Sequence, residues 1–407
     1  MNGPLSLGAL ILSAAILHVG NGLVQTFLPI RMAADGFSSG AIGAMVAGHA
    51  VGFLAGCIAA PALIRRVGHI RVFATFASVT AVTTLAFAIE TDAVLWTVLR
   101  LSTGFASAAL FTSLESWLNA CSARETRGSL ISAYMLANKF ALIAGQMALA
   151  LPLTPIALLM AGSAIYSLCL IPLATTRSPG PDVADMRTLG LRELYAVAPA
   201  AVAGCLVAGL VNSAVIGLAP VYATLIDLPR GLTAAVVSAM QLGTLLLQWP
   251  LGHLSDRIDR RVVILVTALG ALGTSAALLA GPMLPLWSLF ALFAAWGGFA
   301  LSIYALSIAH ANDLARADQL VGLASGLLMV WAIGSTAGPL LAAAVMDRMG
   351  PAGLFAFAGV VYGALALYTG WRLAARRGVP RRRPRFVNLP ATSPAVGSLD
   401  PRAPDAR

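Results

Sequence analysis

Polar side chains are rare in this chain, and several recur at helical spacing inside long apolar stretches. One set follows steps of three, four and seven residues, which puts its members on one face of a helix: His18, Asn21, Gly22 and Gln25. A polar face toward lipid is costly, so we expect this stripe to meet protein or water. Such groups can hydrogen-bond a polar solute. For His18 alone, a satisfied buried imidazole and a proton or substrate site both stay open.

Two basic residues also fall inside apolar stretches, namely Arg100 and Lys139, the only lysine of the chain. A lysine at the bilayer centre costs about 2.5–3.5 kcal/mol on insertion scales, so Lys139 needs water or a partner. Each cation is therefore a substrate-site candidate or a member of a structural interhelical pair. The helical wheel leaves the direction of Lys139 open, because Asn138 lies on a different polar face.

Glu115 is the one acid well inside an apolar stretch. Proton coupling needs a titratable group that water can reach, which makes Glu115 the first candidate proton carrier and His18 the second. A hydrogen bond at a gate is an equal alternative for Glu115, since it lies near the end of its stretch. So few carboxylates argue against a dedicated sodium site.

The charges inside the apolar stretches are mostly positive. This sign favours an anionic or polyhydroxylated small solute over a lipophilic cation. Asn138, Asn212 and Tyr304 are further binding candidates, with Asn212 at the level of the His18 stripe and Tyr304 as an aromatic wall. Large aromatic residues in membrane helices also serve as packing or interface anchors.

The composition of the chain predicts that these residues lie on transmembrane helices. Hydrophobic residues make up 59% of the chain and charged residues 10%, against about 25% charged in soluble domains. Apolar stretches of this length cross a bilayer as helices. We predict twelve transmembrane helices, at residues 5–29, 40–63, 72–89, 94–117, 129–150, 155–174, 195–225, 233–251, 262–280, 286–309, 321–345 and 353–373.

The arginines predict the orientation. Most lie in alternate loops and in the tail, whereas the intervening loops hold only Arg31, Arg230 and Arg348. The positive-inside rule then predicts a multi-pass protein of the cytoplasmic (inner) membrane with both termini cytoplasmic. The net charge of +10 comes from basic residues in these loops and in the tail. Orientation and contact with the lipid bilayer suffice as roles for them, so no nucleic-acid partner is predicted. Residues 374–407 are predicted to form a disordered basic cytoplasmic tail.

The chain also repeats itself. Asn21, Pro29 and Arg66 recur at one fixed offset as Asn212, Pro220 and Arg257. Both halves begin on the same side, so they are parallel repeats related by an axis along the membrane normal. The predicted fold is an all-α polytopic membrane protein with two six-helix repeats around a central cavity. The predicted divisions are a first half at 1–174, a cytoplasmic linker at 175–194 and a second half at 195–373.

Three motifs resemble the major facilitator superfamily. Residues 252–261 read GHLSDRIDRR, which is similar to the loop signature G-x-L-x-D-R-x-G-R-R, although Asp259 replaces its second glycine. Residues 100–104 resemble R-x-x-x-G, and Gly334 with Gly338-Pro339 resembles G-x-x-x-G-P. Residues 115–119 further resemble a bacterial branch of mostly unassigned substrate. The resemblance implies alternating access, with a cavity lined mainly by helices 1, 4, 7 and 10.

The motif residues have two readings each. Asp256, Arg257 and Arg261 either latch the cytoplasmic end of the second half or only set topology through their charge. The helix-packing motif of Gly334, Gly338 and Pro339 either allows close helix approach or forms a moving hinge.

The function predicted from these residues is secondary active transport of a small molecule. No enzymatic activity is predicted, since the sequence holds no H-E-x-x-H, G-x-S-x-G or P-loop motif. We expect proton coupling, a monomer, and no metal or cofactor. A proton-linked multidrug or metabolite efflux antiporter is the alternative within this class. A non-transporting membrane receptor or scaffold is the alternative of another class.

Overall fold

The structure is a computed structural model that describes residues 4–121, 127–175, 190–316, 319–375 and 386–400. Within these ranges the chain forms helices and no strand. Eleven helical stretches are long and apolar enough to cross a membrane. The prediction of an all-helical polytopic membrane protein is therefore confirmed.

The first half contains seven helices, of which α6 and α7 together make one span. Their bounds are α1 Pro4–Ala34, α2 Ser39–Val67, α3 His69–Ala86, α4 Ala93–Cys121, α5 Arg127–Met147, α6 Pro155–Leu168 and α7 Leu170–Ala174. A 3-10 turn, Ala148–Ala150, continues α5. Helix α5 is not among the eleven apolar stretches, because it carries the polar residues Asn138, Lys139 and Gln146.

The second half repeats this order after the short helix α8. Its bounds are α8 Leu191–Val197, α9 Pro199–Leu225, α10 Arg230–Arg257, α11 Arg260–Leu278, α12 Leu286–Ala300, α13 Ser302–Leu314, α14 Leu320–Met349 and α15 Gly353–Ala375. Helices α12 and α13 form one span. Each of the twelve predicted spans coincides with a helix or helix pair. Most of the predicted linker, 176–189, lies outside the described residues.

Glycines let neighbouring helices within each half touch backbone to backbone, and the same helix pairs do so in both halves. A Cβ on Gly52 of α2 would overlap the Leu101 carbonyl oxygen of α4. In the second half, a Cβ on Gly243 of α10 would overlap the Ala294 carbonyl oxygen of α12. Small residues allow this close approach in membrane helices. The sequence repeat thus corresponds to a repeat of helix contacts.

A second pair of contacts repeats in the same way. Gly22 of α1 lies against the Leu142 carbonyl of α5, and Gly338 of α14 lies against the Leu210 carbonyl of α9. Gly334 contacts the same α9 helix, where its Cβ would lie 2.5 Å from the Leu206 carbonyl oxygen. The geometry of Gly334 and Gly338 therefore fits close packing, one of the two readings of this motif.

Short turns connect the spans, so the bundle has two sides. The termini side holds the beginning of α1 and the end of α15, and the far side holds the turns at 35–38 and 226–229. The halves meet on the far side. There the Gly40 amide donates to Asp347 at 3.1 Å, and Arg230 donates to three backbone carbonyls of the first half, those of Leu149, Leu151 and Leu153.

The end of the chain differs from the predicted disordered tail. Residues 386–400 return into the termini side of the bundle, where the 3-10 helix Pro394–Leu399 packs against α4 and α14. The prediction rested on the arginines and prolines of 374–407. Residues 386–400 contain no arginine, and Ala395, Val396 and Leu399 bury apolar side chains. Residues 376–385 and 401–407 lie outside the described residues.

Leucine at Gly52 should destabilise the bundle, because its side chain must push α4 away from α2. We expect Gly52→Leu to lower the free energy of unfolding by about 1–3 kcal/mol. Thermal unfolding in detergent measures the loss. Gly273→Leu is the matched control, since a Cβ on Gly273 meets nothing within 4 Å. Equal losses in both variants would contradict the role of backbone contact.

Candidate functional site

A cavity of about 290 Å³ lies between the two halves. Helices α1 and α5 form one wall, and α9, α10, α13 and α14 form the other, while residues 388–392 line the termini side. The polar side chains that these helices contribute are His18, Asn21, Gln25, Thr26, Tyr134, Asn138, Lys139, Gln146, Asn212, Gln241, Thr244, Gln248 and Tyr304. Seven of the eight predicted substrate-binding residues are in this lining.

The predicted stripe on α1 faces the cavity. The His18 Nδ1 donates to the Ala14 carbonyl at 2.9 Å, and its ring packs against Phe111 with centroids 5.2 Å apart. Because the backbone carbonyl holds one ring nitrogen, the remaining Nε2 is the atom that can interact with a solute or proton. Gln25 continues the stripe along the lining.

Asn21 and Asn212 occupy equivalent positions and are held in the same way. The Tyr166 hydroxyl donates to the Asn21 Oδ1 at 2.9 Å, and the Tyr362 hydroxyl donates to the Asn212 Oδ1 at 2.8 Å. Both tyrosines come from the last span of their half. The oriented amides present their Nδ2 donors, although that of Asn212 also lies 3.4 Å from the Ala300 carbonyl.

Lys139 lines the cavity, which answers the question of its direction. Its Nζ donates to the Gln241 Oε1 at 2.6 Å, across the boundary between the halves. A second amide makes the next crossing contact, where the Ser238 hydroxyl donates to the Gln146 Oε1 at 3.0 Å. Aspartate, glutamate and arginine do not occur in the described lining. The cavity therefore has one cation and many amides.

Two buried polar atoms of the lining have no hydrogen-bond partner within the described chain. They are the Asn138 Oδ1 and the Tyr304 hydroxyl. Buried polar groups are normally satisfied, so such atoms are places where a solute or water would bind. The Tyr304 ring meets Trp331 edge-on at 6.1 Å, and Trp331 meets Phe53 of the other half at 6.0 Å. Tyr304 and Trp331 both line the cavity and form its aromatic wall, and Phe53 packs behind Trp331 outside the lining.

Arg100 is the exception among the predicted substrate-binding residues. It is buried, 6% exposed, but it does not line the cavity. Arg100 lies on α4, which packs tightly along α2 of the same half. At this contact a Cβ on Gly104 would overlap the His49 carbonyl. The position of Arg100 along the predicted helix indicated its depth but not its azimuth. Arg100 therefore lies outside this lining, and its role as a direct substrate contact stays a prediction.

Glu115 is fully buried near the termini side. The Tyr134 hydroxyl donates to its Oε1 at 3.3 Å, and the hydroxyls of Thr392 and Ser393 also donate to its carboxyl group. Glu115 itself does not line the cavity, but its partners Tyr134 and Thr392 do. Both predicted roles, proton carrier and gate hydrogen bond, are compatible with this position.

Sequence reasoning missed a second polar stripe. Gln241, Thr244 and Gln248 of α10 all line the cavity. Their spacing of three and four residues is the same signal that identified the stripe on α1. A systematic search for polar helical faces would have found them.

In the loop motif of residues 252–261, Arg260 makes the buried ion pairs, whereas the prediction named Arg257 and Arg261. Arg260 is 1% exposed, and its Nε donates to Asp313 at 2.6 Å, while its Nη2 lies 3.2 Å from Asp256. Arg257 is exposed. Arg261 pairs with Asp259 at 2.9 Å and also donates to the Arg372 carbonyl of α15. These contacts lie inside the second half, so a gating role remains a prediction.

The comparisons with known proteins agree with this architecture. The sequence profile of the Major Facilitator Superfamily matches residues 10–280 and 204–399. An uncharacterised MFS-type transporter of Yersinia pestis is 25% identical over 83% of this chain and 88% of its own length. The uncharacterised MFS-type transporter YcaD of Escherichia fergusonii is 28% identical over 84% of this chain and 87% of its own length.

Solved structures show the same fold. A bacterial homologue of the human lysosomal transporter Spinster, in an inward-facing and unoccupied conformation, aligns with a TM-score of 0.69 at 14% identity. That alignment covers 98% of each chain. The nucleoside transporter NupG aligns with a TM-score of 0.69 at 14% identity, over 92% of this chain and 98% of its own.

Arg260 should matter far more to stability than Arg257. Arg260→Met removes a guanidinium group that is 1% exposed and pairs with Asp313 at 2.6 Å, and breaking a buried pair costs about 3–5 kcal/mol. Arg257→Met removes the same charge from an exposed position, so we expect a change within about 0.5 kcal/mol. Thermal unfolding of both variants in detergent decides the point. A larger loss for Arg257→Met would restore Arg257 as the anchor of the loop.

Proposed function

Because the chain belongs to the major facilitator superfamily, we propose that this membrane transporter is a secondary active transporter for a small organic anion or polyhydroxylated metabolite. It works by alternating access across the cytoplasmic membrane and is coupled to protons. The observation that carries the proposal is the lining of the cavity, which combines Lys139 with amide side chains and contains no carboxylate among the described residues.

The lining suits a solute with hydroxyl groups and a negative charge. Amides both donate and accept hydrogen bonds, so they match the hydroxyls of a polyhydroxylated solute. The ammonium group of Lys139 has an amide oxygen as partner at 2.6 Å, and a carboxylate or phosphate of the solute would provide the opposite charge. A volume of about 290 Å³ restricts the solute to a small molecule.

Alternating access fits the contacts between the halves. The far side is closed by Arg230 and by the Gly40–Asp347 hydrogen bond. Breaking these contacts while the termini side closes would expose the same cavity to the other side. The distribution of arginines supports a cytoplasmic location for the termini side. One chain supplies both walls, so we propose that it acts as a monomer.

Proton coupling is assigned to Glu115, with His18 as the second candidate. Glu115 is buried within one hydrogen bond of the lining residue Tyr134, and His18 lines the cavity directly. Protonation of a buried carboxyl group changes the hydrogen bonds that its neighbours make. Either residue can thus link proton binding to the arrangement of the cavity wall.

A second candidate is a proton-linked efflux antiporter for drugs or metabolites. The aromatic wall formed by Trp331 and Tyr304 favours it, because flat apolar surfaces bind lipophilic compounds. The positive charge of Lys139 in the lining disfavours the binding of cationic drugs. The two candidates differ in the charge of the compound that the cavity binds.

A ligand screen by thermal shift separates these candidates. We expect polyhydroxylated anions such as gluconate and glucuronate to raise the melting temperature of the purified protein, because a ligand stabilises the state that it binds. Lys139→Met should remove the effect of the anions. Arg66→Met is the control, since it removes one positive charge at an exposed position.

Two results would contradict the proposed substrate class. One is stabilisation by a lipophilic cation such as tetraphenylphosphonium and not by anions, which would favour drug efflux. The other is an equal anion-induced shift in the wild type and in Lys139→Met.

Glu115→Gln tests proton coupling with the solute that the screen identifies. In proteoliposomes, an imposed pH gradient should drive accumulation of this solute by the wild type but not by Glu115→Gln. Exchange of solute at equal pH should persist in Glu115→Gln, because the uncharged amide still allows the halves to rock. His18→Gln tests the second candidate in the same assay. Gradient-driven accumulation by Glu115→Gln would exclude Glu115 as the proton carrier.

A further inference from the structure

The segment of residues 386–400 runs through the opening of the cavity on the termini side. Its first contacts are with α10, where the Phe386 ring lies against Gly252 and the Gln248 Nε2 donates to the Asn388 Oδ1 at 2.8 Å. Residues 388–392 then form part of the cavity lining. The chain thereby fills space that a solute entering from this side would cross.

The middle of the segment is anchored to the first half through Glu115. The hydroxyls of Thr392 and Ser393 both donate to this buried carboxyl group. Hydrogen bonds to charged acceptors are among the stronger ones in proteins. The carboxyl group of the proposed proton carrier is therefore covered by the segment and not by solvent.

The end of the segment is anchored to the second half. Ser325 of α14 donates to the Pro394 carbonyl at 3.1 Å, and Asn312 of α13 donates to Asp400 at 2.9 Å. Gly397 packs so closely on α14 that an added Cβ would lie 2.7 Å from the Ala324 Cβ. The contacts are specific along the whole segment and not limited to one end.

We propose that residues 386–400 are an intramolecular plug that closes the cavity on the termini side and holds the two halves apart there. The plug contacts α4 of one half and α10, α13 and α14 of the other. The halves cannot close on this side while it occupies the gap, so the plugged protein is held in one conformation. Transport then requires the plug to leave.

The plug competes with the solute within one molecule. It is joined to α15 through residues 376–385, so its effective concentration at the opening is high. A solute binds only the unplugged fraction, which lowers its apparent affinity in proportion. Removal of the plug should therefore increase access to the cavity without any change in the cavity itself.

Labelling of a cavity cysteine tests the plug without knowledge of the solute. Asn138→Cys is introduced after the four native cysteines are replaced by alanine: Cys57, Cys121, Cys169 and Cys205. A hydrophilic maleimide then reports access in detergent solution. The compared forms are the full chain, a chain ending at Arg385, Gly397→Leu and Ser398→Leu. Ser398 is the matched control, because it is half-buried and its hydroxyl donates only to Ala395 of the same segment.

We expect labelling about tenfold faster or more in the truncated chain and in Gly397→Leu than in the full chain and Ser398→Leu. Equal rates in the full and truncated chains would overturn the plug. If the truncated chain does not fold, equal rates in Gly397→Leu and Ser398→Leu overturn it instead. Transport is not measured, so failure of the plug and failure of the proposed function are told apart.

Discussion

Direct contact between helix backbones is the constraint on which the rest of this bundle depends. Gly52 and Gly104 bring α2 and α4 together, and Gly243 does the same for α10 and α12. In lipid, no difference in apolarity drives helices together, so close packing must supply the attraction. These contacts hold neighbouring helices of each half together, and the cavity lies between the halves.

The positions of the packed helices then determine which hydrogen-bond partners the polar residues have. Tyr166 orients Asn21, and Tyr362 orients Asn212, so the two halves present equivalent amides to the cavity. Lys139 of the first half donates one of the hydrogen bonds between the halves, to Gln241 of the second half. Such a contact satisfies a buried cation and can still be exchanged for a solute. The unpartnered atoms of Asn138 and Tyr304 mark where that solute would complete the network.

The two ends of the cavity are closed by different means. On the far side, the halves touch through Arg230 and Asp347. On the termini side, a separate segment lies between them and contacts Glu115 through Thr392 and Ser393. A direct contact can break when the halves rock, whereas an inserted segment must first withdraw. This asymmetry is what connects the end of the chain to the proposed transport cycle.

The sequence by itself determined the twelve spans, the repeat and the stripe of His18, Asn21 and Gln25, because hydrophobic length and helical periodicity are local properties. It also identified Lys139 as a residue that needs a partner. Only the tertiary structure decided that Lys139 faces the cavity while Arg100 does not, that Arg260 anchors the loop, and that residues 386–400 enter the bundle. Those outcomes depend on helix azimuth and on contacts between residues far apart in the chain, and neither is encoded in local spacing.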